Sequence, residues 1–284
     1  MSNSELNVID HNRDSAGLHY VYPDVSRRAG GVSIGINLNV NNACNWRCIY
    51  CQVPDLALGT APPVDLKLLE NELRGFLHEL LHGDFMAMRV PEDVRRINDI
   101  ALSGNGEPTS SGEFAEVISL ISNLKTDLKL PEEIKLVLIT NGSLLYRSKV
   151  QQGIRHMSSL NGEVWFKLDR ANAAGMSEIN NTQISMDKVK NNLATSIALC
   201  PTWLQTCWFA LDNLPPSLQE EDDYLEFIGE LIQEGLQLQG VLLYTLARLS
   251  LQVEAPRLSA LSMQQMENFA QRIRNLGMKV KVSV

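Results

Sequence analysis

The sequence predicts an α/β protein, a single domain whose parallel strands curl into an open, three-quarter (β/α)6 barrel. Strand-like and amphipathic helical segments alternate six times along the chain, an order that requires parallel strands joined by right-handed crossovers. Six such units curl further than a flat sheet but stop short of the eight of a closed barrel. The 284 residues, 44% of them hydrophobic, are enough to bury a substantial core.

The individual elements follow from hydrophobic periodicity and from turn residues. SIGINLNV at 33–40 alternates apolar and small polar residues and is the first strand; Asp65 then opens a helical pattern that Gly83 ends. The remaining predicted strand and helix pairs are 97–104 with a helix from Glu113, 134–142 with 144–157, 163–170 with helical stretches up to Ala198, 203–212 with 220–234, and 240–249 with 262–276. The terminal MKVKVSV predicts an extra strand.

Composition and charge limit the classes of function that the sequence allows. We assign residues 1–30 to an N-terminal extension and 31–284 to the core domain with its C-terminal extension. There are 33 acidic and 25 basic residues, a formal charge of -8, which disfavours a protein held to nucleic acid mainly by counterion release. No apolar run approaches the ~18 residues of a membrane span, and the first residues lack the apolar stretch of a secretory signal. These features predict a cytoplasmic protein without a membrane partner.

Three cysteines, Cys44, Cys48 and Cys51, form a CxxxCxxC loop directly after the first strand. Such a cluster in a cytosolic chain is more typical of a metal or catalytic site than of disulfides. Iron–sulfur clusters and structural zinc sites commonly take four protein ligands, so three thiolates leave one position open for a cofactor that reacts at the metal. The alternative is a zinc site completed by a distant histidine. Cys200 and Cys207 are predicted to be buried as small apolar side chains.

Further polar residues follow the later strands. Ser103–Thr109, with the letters SGNGEPT, ends the second strand, and its glycines permit a close backbone approach to a ligand. Thr140-Asn141-Gly142 ends the third. Arg248 ends the sixth and is a candidate clamp for a carboxylate or phosphate, although a solvated arginine explains it equally well. Because chemistry gathers at the C-terminal ends of parallel strands, we expect these segments to surround one site.

The fourth strand carries charge on one of its two faces. Alternation along 164–170 places Trp165, Lys167 and Asp169 on one face and Phe166, Leu168 and Arg170 on the other. A lysine and an aspartate inside a barrel are costly unless they pair with each other or bind something. Both an ion pair and a binding role remain open.

The CxxxCxxC loop in this setting resembles the radical S-adenosylmethionine (SAM) superfamily. There, three cysteines hold a 4Fe-4S cluster whose unique iron is chelated by the amino and carboxylate groups of SAM, and reductive cleavage gives methionine and a 5'-deoxyadenosyl radical that abstracts a substrate hydrogen. The resemblance implies that Cys44, Cys48 and Cys51 are the cluster ligands. It implies an enzyme acting on a small molecule or nucleotide, with a reductant such as flavodoxin or ferredoxin. Tyr50 corresponds to the aromatic residue that the family often places against the adenine.

The resemblance also implies which residues bind SAM. Gly104, Asn105, Gly106 and Glu107 resemble the family's GGE motif, which binds the SAM amino group, with an asparagine where the family most often has glycine. Asn141 or its neighbours are implied to contact the SAM ribose or carboxylate. Asp169 matches the aspartate of the family's frequent SLDA-like strand, and Lys167 replaces its serine. For Lys167 three roles stay open, namely binding the SAM carboxylate, a substrate anion, or a substrate carbonyl as a Schiff base.

Within the superfamily, the opening YVYPDVSRRAGGVSIGINLNVNNACNWRCIYCQ together with LSGNGEPT and LITNGSLL resembles the wyosine synthases, which condense pyruvate with N1-methylguanosine in tRNA. Those enzymes carry extra N-terminal cysteines for a second cluster. Residues 1–43 contain none here, and the acidic charge does not favour tRNA. The alternatives to a small-molecule enzyme are therefore a tRNA- or peptide-modifying radical SAM enzyme and a non-catalytic metal or iron–sulfur module.

Overall fold

The computed structural model describes residues 17–26 and 30–284, which form one mostly parallel sheet flanked by helices. The strands are β1 (Val21–Ser26), β2 (Gly31–Ile36), β3 (Ala43–Cys44), β4 (Ala57–Leu58), β5 (Ile97–Leu102), β6 (Lys135–Thr140), β7 (Gly162–Lys167), β8 (Thr202–Cys207), β9 (Phe209–Leu211), β10 (Gly240–Tyr244), β11 (Leu258–Ala260) and β12 (Val280–Ser283). Eight of them form the main sheet in the order β1-β2-β5-β6-β7-β8-β10-β12. All neighbours in this sheet pair in parallel except β1, which lies antiparallel to β2 at the edge.

The helices connect the parallel strands and cover the outer side of the sheet. Asp65 caps the first helix by accepting a hydrogen bond from the Leu68 backbone N–H at 3.0 Å, and Ser217 and Glu220 form a capping box at the seventh. The helices are α1 (Leu66–His82), α2 (Phe85–Arg89), α3 (Phe114–Asp127), α4 (Ser148–Ser158), α5 (Ala173–Asn180), α6 (Met186–Leu199), α7 (Leu218–Gln233) and α8 (Met263–Arg274).

The predicted fold class is confirmed, with a strand and a helix in each of the six units and β12 in the terminal segment. Four short elements were not predicted, namely α2, β3, β4 and β11. Two larger features of the sheet also differ. The edge strand β1 was not predicted as a strand. It contains Pro23, which has no backbone N–H to donate and is tolerated in an edge strand because no further strand pairs on its outer side. The segment predicted as one strand over 203–212 breaks after Cys207, because Trp208 stacks on Phe269 at 4.4 Å and β9 leaves the main sheet to pair with β11.

The two faces of the sheet differ in chemistry. Side chains on the outer face, such as Ile34, Leu136 and Phe166, are almost fully buried in the main core against the helices. On the inner face, Ala101, Val137, Trp165, Trp203 and Leu242 form a separate apolar cluster, with Ile139 partly buried against it. The alternation predicted for β7 is therefore confirmed for Trp165, Phe166 and Lys167, whereas β7 ends at Lys167 and Asp169 does not line the cavity at the strand ends.

Two expectations concern the ends and the surroundings of the chain. Residues 1–16 and 27–29 of the assigned extension lie outside the described residues, and the division at residue 30 stays a prediction. No helix in the described part of the chain is both long and apolar enough to span a membrane.

Candidate functional site

A cavity of about 280 Å³ opens where the parallel strands end. It is bounded by the cysteine loop, by the segment after β5 and by side chains from β7, β8 and β10. The cavity brings together nearly all residues predicted for the site, namely Cys44, Cys48, Tyr50, Cys51, Gly104, Asn105, Gly106, Glu107, Asn141, Lys167 and Arg248. Asp169 is the exception and lies behind the cavity wall.

The three cysteines are half-buried and face this same cavity. Burial raises the pKa of Cys44 to about 12 and that of Cys48 to about 11, so a bound cation is needed to hold either as a thiolate at neutral pH. Within residues 17–26 and 30–284, no three His, Cys, Asp or Glu side chains are close enough as they stand to share one metal ion. Cys200 and Cys207 are buried, as predicted.

The C-terminal end of α5 holds one side of the cysteine loop. The Ile49 backbone N–H donates to the Ile179 carbonyl at 2.9 Å, and the Asn181 side-chain amide donates to the Arg47 carbonyl at 2.8 Å. Asn180, which is fully buried, donates from Nδ2 to the Cys48 sulfur at 3.2 Å. The helix end thus fixes the position of the central cysteine. Nothing in the sequence marks Asn180 for this role, because the contact spans 132 residues.

Residues 250–254 hold the opposite side of the loop. The Ser250 hydroxyl donates to the Ile49 carbonyl at 2.8 Å, and the Leu251 backbone N–H donates to the Cys51 carbonyl at 2.9 Å. Arg47 and Glu254 form a two-pronged ion pair at 2.5 and 3.0 Å. The chain's own residues therefore fix the loop from two sides, which is the preorganisation that a reactive centre requires.

Asn141 links the end of β6 to the loop. Its Nδ2 donates to Asn45 Oδ1 at 2.8 Å, while its Oδ1 accepts from the backbone N–H of Ser143 at 3.0 Å. Asn45 in turn donates to the Ser143 hydroxyl at 2.7 Å. Asn141 lines the cavity as predicted, and the structure adds that it positions the residue next to Cys44.

Glu107 is buried and surrounded by donors. Its Oε1 accepts from the Thr109 hydroxyl at 2.5 Å and the Thr140 hydroxyl at 2.7 Å, and its Oε2 accepts from the Asn141 backbone N–H at 2.7 Å. Burial raises the pKa of Glu107, and these hydrogen bonds partly offset that effect. Glu107 thus joins the segment after β5 to the end of β6.

The GNGE segment 104–107 approaches the cysteine loop closely. A Cβ on Gly106 would lie 2.1 Å from the Ala43 carbonyl oxygen, so only glycine fits there. Asn105 is held by Asn37, whose Oδ1 accepts from the Asn105 backbone N–H at 3.0 Å, and by Asn42, whose Oδ1 accepts from Asn105 Nδ2 at 2.6 Å. The buried Asn105 Oδ1 has no hydrogen-bond partner. An unfilled acceptor beside three thiols fits a ligand with an amino group, as SAM has.

Asp169 is the hub of a buried network. Its Oδ2 accepts from the Tyr50 hydroxyl at 2.5 Å and from Asn180 Nδ2 at 2.7 Å, and its Oδ1 accepts from the Cys207 backbone N–H at 2.9 Å. These partners place Asp169 where it orients Tyr50 and Asn180, both of which contact or belong to the cysteine loop. Direct contact between Asp169 and SAM stays a prediction.

Lys167 and Arg248 supply the positive charge of the cavity. The Lys167 ammonium lies 5.0 Å from the centre of the Tyr50 ring. Burial disfavours its charged form, but attraction to Tyr244 and Asp169 outweighs burial and raises the pKa of Lys167 above its usual value. Arg248 pairs with Asp24 of β1 at 3.9 Å, so this arginine also joins the edge strand to the far side of the sheet.

Sequence reasoning missed the polar residues deeper in the barrel. Ser33 and Asp99 hydrogen-bond to each other on β2 and β5 and line the cavity. Gln205 of β8 also lines it and is almost fully buried, yet its Oε1 has no hydrogen-bond partner. The usable signal for Gln205 was an amide that alternation places on the same face of the strand as Trp203 and Cys207.

Comparison with known proteins identifies relatives in sequence and in fold. A UPF0026 protein of Helicobacter pylori is 31% identical over 143 residues, which are 48% of this chain and 39% of that protein. The chain thus spans about two fifths of the length of this curated relative. No protein family model matches the chain.

Two solved structures share the architecture over most of the chain. A radical SAM methyltransferase from Sphaerobacter thermophilus has a TM-score of 0.62 at 12% identity, covering 95% of this chain and 70% of that one. TYW1 with a lysine-pyruvate adduct bound has a TM-score of 0.58 at 14% identity, covering 86% and 73%. The chain has the fold of the radical SAM enzymes. The resemblance seen in the motifs is confirmed at the level of fold, and in this radical SAM fold the cysteine loop stands at the C-terminal mouth of the barrel.

Proposed function

We propose that the protein is a radical SAM enzyme that binds a 4Fe-4S cluster through Cys44, Cys48 and Cys51. The observation that carries the proposal is the convergence of these three thiols with the unpartnered Asn105 oxygen in one cavity at the strand ends. Three thiolates leave one iron of such a cluster open. When bound, the cluster and SAM would supply a 5'-deoxyadenosyl radical that abstracts hydrogen from a small-molecule or nucleotide substrate.

The chain's own residues would bind and orient these groups. The end of α5 and residues 250–254 hold the cysteine loop, and Asn180 donates to Cys48. Asn105 would accept a hydrogen bond from the SAM amino group, while Tyr50, fixed by Asp169 at 2.5 Å, would present its ring to the adenine. Lys167 and Arg248 would offer positive charge to anionic parts of SAM or substrate.

Anaerobic reconstitution tests the proposal. The protein is loaded with iron and sulfide, reduced with dithionite in the presence of SAM, and assayed for 5'-deoxyadenosine. We expect about four irons per chain, an electron paramagnetic resonance signal that changes on adding SAM, and formation of 5'-deoxyadenosine. Cys48→Ala is expected to lose the cluster, whereas Cys200→Ala, at a buried cysteine outside the cavity, is expected to keep it.

Two results would contradict the proposal. Zinc without sulfide in the anaerobically purified protein favours a structural metal module. A cluster whose spectrum does not respond to SAM favours a module for binding or sensing. A complex with tRNA that weakens steeply with salt would instead select the tRNA-modifying alternative, and a reductant such as flavodoxin or ferredoxin that replaces dithionite would identify the electron donor.

A further inference from the structure

Lys167 and Gln205 form a pair of polar side chains at the C-terminal ends of two neighbouring strands. They are directly registered partners on the parallel neighbours β7 and β8, and both side chains line the cavity. Neighbouring strands lie about 4.8 Å apart, so the ammonium and the amide can contact adjacent atoms of one ligand. Strand β6 and strand β7 separate Gln205 from the GNGE segment after β5.

Gln205 indicates which kind of ligand the pair would bind. A buried acceptor without a partner costs about 1–3 kcal/mol, and most buried polar groups in folded proteins are hydrogen-bonded. Gln205 is 2% exposed and its Oε1 is unpartnered. A ligand that fits this position therefore brings an O–H or N–H donor to Gln205 and a negatively charged oxygen to Lys167.

An apolar surface lies directly below Lys167 and Gln205. Trp165 and Trp203 are registered with each other one inward position below Lys167 and Gln205. With Ala101, Val137 and Leu242 they form the inner apolar cluster. Of this cluster, Trp165 and Ala101 line the cavity, so a group bound by the pair lies against the Trp165 indole.

We propose that Lys167 and Gln205 form a substrate subsite for a small carboxylate that carries a hydroxyl or amino donor on the adjacent carbon. The carboxylate pairs with Lys167, and the donor fills the empty acceptor position of Gln205. An α-keto acid has no donor at that carbon and leaves Gln205 unfilled. The inference rests on the proposed function, since the bound molecule would be the substrate of that enzyme.

The test measures binding of defined probes to the reconstituted protein with SAM bound. Both enantiomers of lactate, L-alanine and pyruvate are titrated anaerobically by calorimetry. We expect at least one lactate enantiomer or L-alanine to bind about tenfold more tightly than pyruvate, the ratio for one hydrogen bond. Lactate and alanine together distinguish a hydroxyl from an amino donor.

Variants of Gln205 connect the preference to its amide. Gln205→Met keeps the shape but removes the acceptor, and we expect the ratio to pyruvate to fall close to one. Gln205→Glu places a carboxylate beside Lys167, and we expect it to weaken binding of every probe at least about tenfold because it competes for the cation. Gln233→Met makes the same chemical change on the exposed surface of α7 and should behave like the wild type.

Several outcomes overturn the inference. They are equal binding of lactate, alanine and pyruvate to the wild type, no binding of any probe, and a donor preference that survives in Gln205→Met. If Gln205→Met instead weakens SAM binding about tenfold, the pair serves the cofactor. If the cluster responds to SAM but the protein does not prefer lactate or alanine to pyruvate, only the proposed subsite is wrong. If the protein holds zinc instead of a cluster and keeps the preference, only the proposed enzymatic function is wrong.

Discussion

The two faces of β7 contrast the part of the molecule that holds the fold with the part that binds. Phe166 faces outward and is buried in the core against the helices. Lys167, the next residue, faces the cavity among polar groups from several other strands. The outer face gains stability from burying apolar area, whereas the inner face carries the Lys167 ammonium and the Gln205 side-chain oxygen, which has no hydrogen-bond partner. Two consecutive residues of β7, Phe166 and Lys167, therefore serve stability and binding respectively.

The largest expected effect lies on the outer face. Phe166→Ala should lower the free energy of unfolding by about 3–5 kcal/mol, because it removes a buried ring and leaves a cavity. Urea denaturation measures this loss. The folded fraction should still bind the cluster in normal amount, and a Phe166→Ala protein that is as stable as the wild type would remove the contrast between the faces.

The next effect concerns the contact between the GNGE segment and the cysteine loop. Gly106→Ala would place a Cβ 2.1 Å from the Ala43 carbonyl oxygen and 2.6 Å from Asn39 Nδ2. Overpacking of this size costs about 1–3 kcal/mol, so we expect SAM affinity to fall about tenfold or more. Gly112→Ala, where a Cβ meets nothing within 4 Å, is the control. Equal SAM affinities of the two variants would show that the close approach is unimportant.

A smaller effect is expected at Asn180. Its hydrogen bond to Cys48 stabilises negative charge on the sulfur, and hydrogen bonds to cluster sulfurs raise the reduction potential. Asn180→Leu should lower the midpoint potential by on the order of tens of millivolts, since a hydrogen bond is worth about 1 kcal/mol. Spectroscopic redox titration measures the shift, with Asn191→Leu on the exposed side of α6 as control. An unchanged potential with an intact cluster would limit Asn180 to packing.

The smallest effect is at the outer rim of the loop. The hydrogen bond from Arg47 lowers the pKa of Glu254 below its usual value. Glu254 therefore adds stability above the usual glutamate pKa of about 4.3 and loses it as the pH falls through the lowered value. Because the pair is partly exposed, its contribution is about 0–1 kcal/mol. Glu254→Gln should remove this acid-dependent part, and equal urea midpoints of the two proteins at every pH would contradict the assignment.

Local pattern was sufficient for the parts of the fold whose signals are short. The helix start at Asp65, the alternation along β7 and the cysteine spacing all depend on residues within a few positions of one another. The break after Cys207 was missed because Trp208 is drawn out of the strand by Phe269, 61 positions away, and the edge strand β1 because it depends on its partner β2.

The candidate site shows the same division. Its motifs are local, so Cys44, Asn105 and Lys167 were predicted residues and the structure brings them to one cavity. Asn180 was not predicted, because an asparagine at a helix end has no distinctive pattern in sequence. Gln205 was missed although an amide at an inward position of a strand is a usable signal. Their importance arises only from what stands opposite them in space.

The sequence by itself determined the alternation of strands and helices, the inward and outward faces and the thiol spacing, because these depend on backbone periodicity and on neighbours within a few residues. Only the tertiary structure decided which distant groups hold the cysteine loop, that Asp169 orients Tyr50 and Asn180 behind the cavity wall, and that the Gln205 side-chain oxygen has no hydrogen-bond partner. A hydrogen bond is decided by distances of about 3 Å between atoms, and chain folding sets those distances across more than a hundred residues.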